Sequence, residues 1–152
     1  MRLGVVYDPL RDECFSAQEG QGAWLNGQRL HVSETPEMDQ GLLVTGFPYD
    51  IRTNPANNLE NYARFALHSQ GVRRLGSAAL DLCYVAAGRF DGFWEIRLNA
   101  WDVAAGGLIA EQAGARVTNL AGETDYITPP QSVLAANPHI HPQMLELLNS
   151  KD

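Results

Sequence analysis

The spacing of hydrophobic and polar positions changes near residue 40. The first part contains short apolar runs separated by turn signals, among them Asn26-Gly27, which supplies the two positive φ angles of a type I′ hairpin. We therefore predict that residues 1–40 form an antiparallel β-meander. Its predicted strands are Leu3–Tyr7, Cys14–Gln18, Ala23–Leu25 and Gln28–Leu30.

Residues 41–152 alternate between short apolar runs and longer amphipathic segments. The predicted order is β-α-β-α-β-α-β-β-α, which is typical of an α/β layered domain with a largely parallel sheet. The fold class is thus α/β, with the meander followed by an α/β unit over residues 41–152. Its predicted elements are the strand Leu42–Phe47, the helix Ala56–Gln70, the strand Val72–Leu75, the helix Ala79–Ala87, the strand Phe90–Ile96, a helix starting at Asp102, the strands Ala115–Thr118 and Ser132–Ala136, and the helix Pro138–Asn149.

The helix that starts at Asp102 has an unusual composition. Asp102 is a good N-cap, because its carboxylate can accept hydrogen bonds from the first N–H groups of the helix. Gly106 and Gly107 follow, and each costs about 1 kcal/mol relative to Ala inside a helix, so they predict another element packed very close. Gly114 suits the position that ends the helix. Asp102 could act as a cap, as a metal ligand, or as both.

Composition limits the classes of partner. The chain has 152 residues, 45% of them hydrophobic, and a formal net charge of −7. This charge disfavours binding to nucleic acid, and an anionic small ligand would need local cations or aimed backbone N–H groups. No apolar run approaches the length of a membrane span. Cys14 and Cys83 lie far apart and are expected as reduced thiols, so we predict a soluble, cytoplasmic protein.

Two places could carry chemistry. Gly76-Ser77-Ala78 forms a strand-to-helix turn whose free N–H groups could bind an anion or a hydroxyl, although plain helix capping explains it as well. Glu95 and Asp102 flank a strand end and a helix start and could face one pocket, or be unrelated surface acids. Other candidates are weaker: Arg73-Arg74 as cations that attract an anion, and His139 with His141, which we expect at the surface.

At this point the sequence resembles the inositol monophosphatase family of metal-dependent phosphatases. The segment Trp101–Gly106 is similar to that family's C-terminal signature. Further segments match the family in order and spacing over nearly the whole chain. These are Gly4–Pro9, Gly22–Gly27, Arg74–Ala79 and Asp91–Glu95.

This resemblance implies Mg²⁺-dependent hydrolysis of a phosphate monoester of inositol or a related polyol by a metal-activated water. It implies that Asp102 is a metal ligand. It also implies that Gly76, Ser77 and Ala78 line the substrate site, that Glu95 accepts a hydrogen bond from a substrate hydroxyl, and that Asn99 tunes substrate choice. The implied partner is a small phosphorylated polyol.

The sequence also departs from the family. The N-terminal half of the family pattern, with a metal-binding Glu and an Asp-Pro-[Leu/Ile]-Asp-Gly-Thr motif, has no counterpart; Asp8-Pro9-Leu10 is followed by Arg11. Two hypotheses follow. The chain is the C-terminal portion of such a phosphatase, or it is a catalytically incomplete fragment or module that needs the missing half and at most binds a polyol phosphate. We further expect an exposed apolar N-terminal sheet and self-association through it.

Overall fold

The computed structural model describes residues 1–150, so the last two residues of the predicted unit 41–152 lie outside it. Two sheets are present. The first is antiparallel with the order β1-β2-β3-β4, and the second has five strands in the order β6-β5-β7-β9-β8. The strands are β1 (Leu3–Asp8), β2 (Glu13–Gln18), β3 (Gly22–Leu25), β4 (Gln28–Arg29), β5 (Leu42–Thr45), β6 (Gly71–Arg73), β7 (Gly92–Ile96), β8 (Arg116–Thr118) and β9 (Ser132–Ala136).

Four α-helices are present within the described residues, with one short 3₁₀ turn at Met38–Gln40. They are α1 (Leu59–His68), α2 (Ala78–Ala86), α3 (Ala100–Gln112) and α4 (Ile140–Asn149). None of these helices is long and apolar enough to cross a membrane.

The predicted meander and α/β class are confirmed. Asn26 and Gly27 have φ angles of 48° and 82°, as a type I′ turn requires. In the second sheet β5 pairs in parallel with β6 and β7, whereas β9 pairs antiparallel with both β7 and β8. Four of the five strands therefore run in one direction, with β9 reversed.

Helices α2 and α3 lie between the two sheets. One apolar core joins Phe15 of β2, Val85 of α2, Ile109 of α3 and Phe93 of β7, all fully buried. A second core, with Phe65 and Met144, packs α1 and α4 on the opposite face of the five-stranded sheet. The layers thus run sheet, helix pair, sheet, helix pair.

The start of α1 was predicted wrongly. The helix begins at Leu59 rather than Ala56, so Asn54-Pro55 does not open it. Asn58, which precedes it, has a left-handed φ of 71° and is buried. Its side chain bonds to groups on β5 and β7, and these tertiary bonds hold it outside the helix.

His141 was expected at the surface and is fully buried. Its Nε2 lies 3.0 Å from the Thr118 Oγ1, which joins α4 to β8. Burial, and next the charge of Arg116, lower the pKa of this imidazole to about 4. The physical reason for the error is that a His on an amphipathic helix can face the core when a hydroxyl there bonds to one ring nitrogen; the His141 Nδ1 has no partner among the described residues.

Candidate active site

A cavity of about 590 Å³ opens at the ends of β5 and β7 and at the starts of α2 and α3. The six residues predicted for the site all line it. They are Gly76, Ser77, Ala78, Glu95, Asn99 and Asp102. A smaller cavity of about 240 Å³ near Glu111 and Tyr126 contains none of them.

The turn before α2 presents backbone donors to the cavity. Gly76 has φ +95°, a conformation that L side chains rarely adopt. Ser77 is the N-cap of α2, and its Oγ accepts a hydrogen bond of 3.4 Å from the Leu80 N–H. The N–H groups of Ala78 and Ala79 open the helix and have no intrahelical acceptor, which makes this turn suited to an anion or a hydroxyl oxygen.

The Glu95 side chain lies in a confined space at the end of β7. Its side chain is buried, and a Cβ at Gly46 on the neighbouring strand end would overlap its carboxylate. Burial, and next the charge of Asp102, raise the pKa of Glu95 to about 7 against the opposing charge of Arg74. Glu95 therefore titrates near neutral pH, and it needs Gly46 as its neighbour.

The prediction that Asp102 is the N-cap of its helix was wrong. The N-cap of α3 is Asn99, and Asp102 is the third helical residue. Its Oδ2 accepts hydrogen bonds from the Asn99 N–H at 2.9 Å and from the Asn99 Nδ2 at 3.1 Å. This reach back to the cap is the geometry of a capping box, so the helix starts one turn earlier than the sequence suggested.

A buried hydrogen-bond network forms the wall behind Glu95. The Trp94 Nε1 donates to the Asn58 Oδ1 at 2.9 Å, and the Asn58 Nδ2 donates to the Gly46 carbonyl at 2.8 Å. The Thr45 hydroxyl donates to the Trp94 carbonyl at 2.6 Å. The network ties the ends of β5 and β7 together. Sequence reasoning missed it, because Asn58, which joins the two strand ends, lies 12 or more residues from each of its partners there and in no motif.

The open side of the cavity carries an ion pair that the sequence did not predict. Arg97 lies 2.7 Å from Asp50, joining the loop after β7 to the loop after β5, and adopts a left-handed φ of 58°. Arg74 also lines the cavity and stacks 5.3 Å from the Phe47 ring centroid. A non-glycine residue with positive φ in the loop between Glu95 and Asp102 has no sequence signal.

Asp81 lies in the first turn of α2 but does not line the cavity. It is 1% exposed, and neither carboxylate oxygen has a hydrogen-bond partner among the described residues. Burial, and next the charge of Glu95, raise its pKa to about 7. Asp81 is therefore a second buried carboxyl group with a raised pKa, and the charge of Glu95 contributes to that rise.

The implied Mg²⁺ can be tested against these side chains. Within residues 1–150, no group of three or more His, Cys, Asp or Glu side chains is placed to hold a metal ion. Asp102 and Glu95 share the cavity, but the pKa of Glu95 is raised and the Asp102 Oδ2 accepts two hydrogen bonds. These two carboxylates do not complete a metal site by themselves.

Comparison with known proteins gives the family. The sequence profile of the inositol monophosphatase family matches residues 1–152, and the chain belongs to that family. It is 39% identical over 148 residues to inositol-1-monophosphatase of Caulobacter vibrioides, covering 97% of this chain and 58% of the relative. It is 48% identical over 127 residues to Nus factor SuhB of Pseudomonas aeruginosa, covering 81% of this chain and 46% of that protein.

A solved structure shows the same fold. The inositol monophosphatase from Anabaena (Nostoc) superposes with a TM-score of 0.91 at 43% identity, covering 97% of this chain and 58% of that one. The chain thus spans about half the length of the relatives it matches. The family is generally Mg²⁺-dependent.

Proposed function

We propose that the cavity binds a phosphorylated polyol, inositol phosphate or a related compound, as part of a phosphatase site. The observation that carries the proposal is the convergence of Gly76–Ala78, Glu95, Asn99 and Asp102 on one cavity, although they come from three separate segments. A fold alone does not fix a function, so the proposal rests on this site. A cytoplasmic location is part of it, supported by the two free thiols.

In this proposal each group has a chemical role. The Ala78 N–H at the α2 N-terminus donates to a ligand oxygen, and the helix dipole favours negative charge there. Ionised Glu95 accepts a hydrogen bond from a hydroxyl, which fixes the orientation of the polyol ring. Asp102 is proposed as a carboxylate ligand for Mg²⁺, and Asn99 beside it as a contact that tunes substrate choice.

A second candidate function, binding without catalysis, is favoured by the lack of a three-ligand metal cluster within residues 1–150. Hydrolysis by metal-activated water needs more carboxylates than Asp102 and Glu95 supply. In this version the 152-residue chain binds a polyol phosphate but does not turn it over by itself. The family's complete site would then be needed for phosphate release.

Calorimetry with myo-inositol 1-phosphate tests the binding site. We expect Glu95→Gln to weaken binding at pH 8 by about tenfold or more, since hydrogen bonds to charged groups are worth about 1.5–3 kcal/mol. The loss should be smaller at pH 6, because there Glu95, with its pKa raised to about 7, is mostly protonated in the parent chain. Glu111→Gln, at the smaller cavity, is the matched control and should leave affinity unchanged.

Phosphate release with Mg²⁺ then separates the two candidates. Turnover that disappears in Asp102→Ala would support a phosphatase and reject the incomplete binder. Binding without turnover would support the binder. An absence of binding at millimolar ligand would reject both.

A further inference from the structure

One buried amide side chain joins the ends of β5 and β7. Asn58 is 5% exposed. Its Nδ2 donates to the Thr45 Oγ1 at 3.0 Å and to the Gly46 carbonyl at 2.8 Å. Its Oδ1 accepts from the Trp94 Nε1 at 2.9 Å and from the Asn61 Nδ2 at 3.1 Å. Both N–H groups and both lone pairs of the amide are therefore used, although the side chain is hidden from water.

The indole of Trp94 fixes the orientation of this amide. An indole N–H can only donate, so the Asn58 atom that faces it must be the oxygen, and the nitrogen then faces β5. The backbone of Asn58 has a left-handed φ of 71°, which Asn adopts more readily than most other residues. The hydrogen bonds and the backbone conformation thus both suit asparagine at this position.

Thr45 closes these hydrogen bonds into a ring. Its hydroxyl accepts from the Asn58 Nδ2 and donates to the Trp94 carbonyl at 2.6 Å. Thr45 and Trp94 also face each other in the parallel pairing of β5 with β7. The hydrogen-bond ring therefore consists of Asn58, Thr45 and Trp94, all of them buried. Hydrogen bonds linked in this way polarise and strengthen one another.

The hydrogen-bond ring holds the two backbone groups that locate the Glu95 carboxylate. The Trp94 carbonyl belongs to the peptide bond that leads into Glu95, so the Thr45 hydroxyl fixes the peptide plane from which that residue extends. The Gly46 carbonyl is held by Asn58, and a Cβ at Gly46 would overlap the Glu95 carboxylate. The position of the carboxylate therefore depends on strand ends that the ring holds together.

We propose that Asn58 and Thr45 are positioning residues, which hold the Glu95 carboxylate where it meets a hydroxyl group of the polyol. This inference rests on the proposed function. Neither residue lines the cavity, so both act through Trp94 and Gly46 and not by touching the ligand. A binding group has to be held to within about 0.5 Å of its productive position, and a buried support on strands does this better than a loop.

Two variants of Thr45 test the role of the hydrogen-bond ring. Thr45→Val removes the hydroxyl, whereas Thr45→Ser keeps it. In calorimetry with myo-inositol 1-phosphate at pH 8, Thr45→Val should weaken binding by about threefold or more, as a part of the loss expected for Glu95→Gln. Thr45→Ser should bind within about twofold of the parent chain, because its hydroxyl can still donate to the Trp94 carbonyl. Asn58→Gly tolerates the left-handed φ and should weaken binding as Thr45→Val does.

A double variant shows whether the hydrogen-bond ring acts through Glu95. In a Glu95→Gln background the charge that the ring positions is already absent, so Thr45→Val should weaken binding less than it does in the parent chain. A purely structural role would give the same fold loss of affinity in both backgrounds. That result would overturn the proposal.

Thr118→Val is the matched control for the loss of a buried hydroxyl. Thr118 is 1% exposed, and its Oγ1 lies 3.0 Å from the His141 Nε2, outside the lining of the cavity. This variant should leave the affinity unchanged, and a loss equal to that of Thr45→Val would overturn the proposal. Circular dichroism checks the fold of each variant. If Thr45→Val and Asn58→Gly both unfold, the ring is structural and the proposal is overturned; if one unfolds, the other is used.

The affinity of the parent chain distinguishes failure of the proposed function from failure of this inference. A parent chain that does not bind myo-inositol 1-phosphate at millimolar concentration rejects the proposed function, and the inference with it. A parent chain that binds, while Thr45→Val and Asn58→Gly bind equally well, overturns the inference alone.

Discussion

Asp81 is a carboxyl residue whose burial opposes its ionisation. Its carboxyl group is protonated in the fold up to about pH 7, whereas in the unfolded chain it ionises near 3.8. The raised folded pKa means that its contribution to the free energy of unfolding is fully present below pH 3.8 and is lost as the pH rises to 7. Above pH 7 the cost is at most about 4 kcal/mol, at 1.36 kcal/mol per pKa unit.

We therefore predict that Asp81→Asn, which keeps the shape but cannot ionise, changes the pH dependence of stability. The free energy of unfolding of the variant minus that of the parent should rise by about 2–4 kcal/mol between pH 5 and pH 8. Urea unfolding at both pH values measures it. Asp39→Asn on the exposed 3₁₀ turn is the control and should give no such rise. If the free energies of unfolding of Asp81→Asn and of the parent change equally between pH 5 and pH 8, the Asp81 carboxyl is not held protonated in the fold.

At the residue scale, the sequence predicted which side chains line the cavity better than it predicted their geometry. Motif matches located Ser77, Glu95 and Asp102, because the family pattern is local in sequence. The ion pair of Arg97 with Asp50 spans 47 residues and depends on two loop conformations, so no local pattern indicates it. The roles of Ser77, Glu95 and Asp102 in binding stay predictions until the calorimetry is done.

At the scale of helices and strands, the glycines of α3 explain how closely this helix packs against its neighbours. Two glycines in α3 predicted a close neighbour, and the neighbours are now identified. A Cβ at Gly106 would lie 2.9 Å from the Leu82 Cβ and 3.0 Å from the Ala79 carbonyl oxygen. A Cβ at Gly107 would meet the Tyr126 ring and hydroxyl instead. Gly106 thus sets the distance between α2 and α3, and so the width of the cavity between their first turns.

We predict that Gly106→Ala lowers the free energy of unfolding by about 1–3 kcal/mol, even though Ala is the better helix former. The added methyl meets the backbone of α2, which cannot move without moving Ser77 and Ala78. Gly107→Ala is the comparison, because its methyl would meet the buried Tyr126 side chain rather than the backbone of a neighbouring helix. Urea denaturation measures both. A Gly106 variant as stable as the parent would mean that the two helices separate freely.

At the scale of the whole molecule, the alternation of strands and helices predicted both sheets but not their stacking. The core that places α2 and α3 between the sheets contains Phe15 together with Val85 and Phe93, which lie 70 or more positions further along the chain. Such packing has no local signature. On β7, the neighbours Phe93 and Trp94 face different cores. An unbroken apolar run predicts a strand buried on both faces, but not what covers each face.

The whole molecule also decides how the chain responds to Mg²⁺ alone. A ligand that binds only the folded state stabilises it by RT ln(1 + [L]/Kd), so the shift in Tm reports whether a preformed metal site exists. Because no group of three or more His, Cys, Asp or Glu side chains within residues 1–150 is placed to hold a metal ion, we predict that about 5 mM Mg²⁺ shifts Tm by less than about 1 °C. Differential scanning calorimetry measures this, with Asp102→Ala as the control and K⁺ at equal ionic strength as the reference for screening. A saturable rise in Tm that Asp102→Ala abolishes would show that this chain holds the ion without further ligands, and the incomplete-binder candidate would then lose its support.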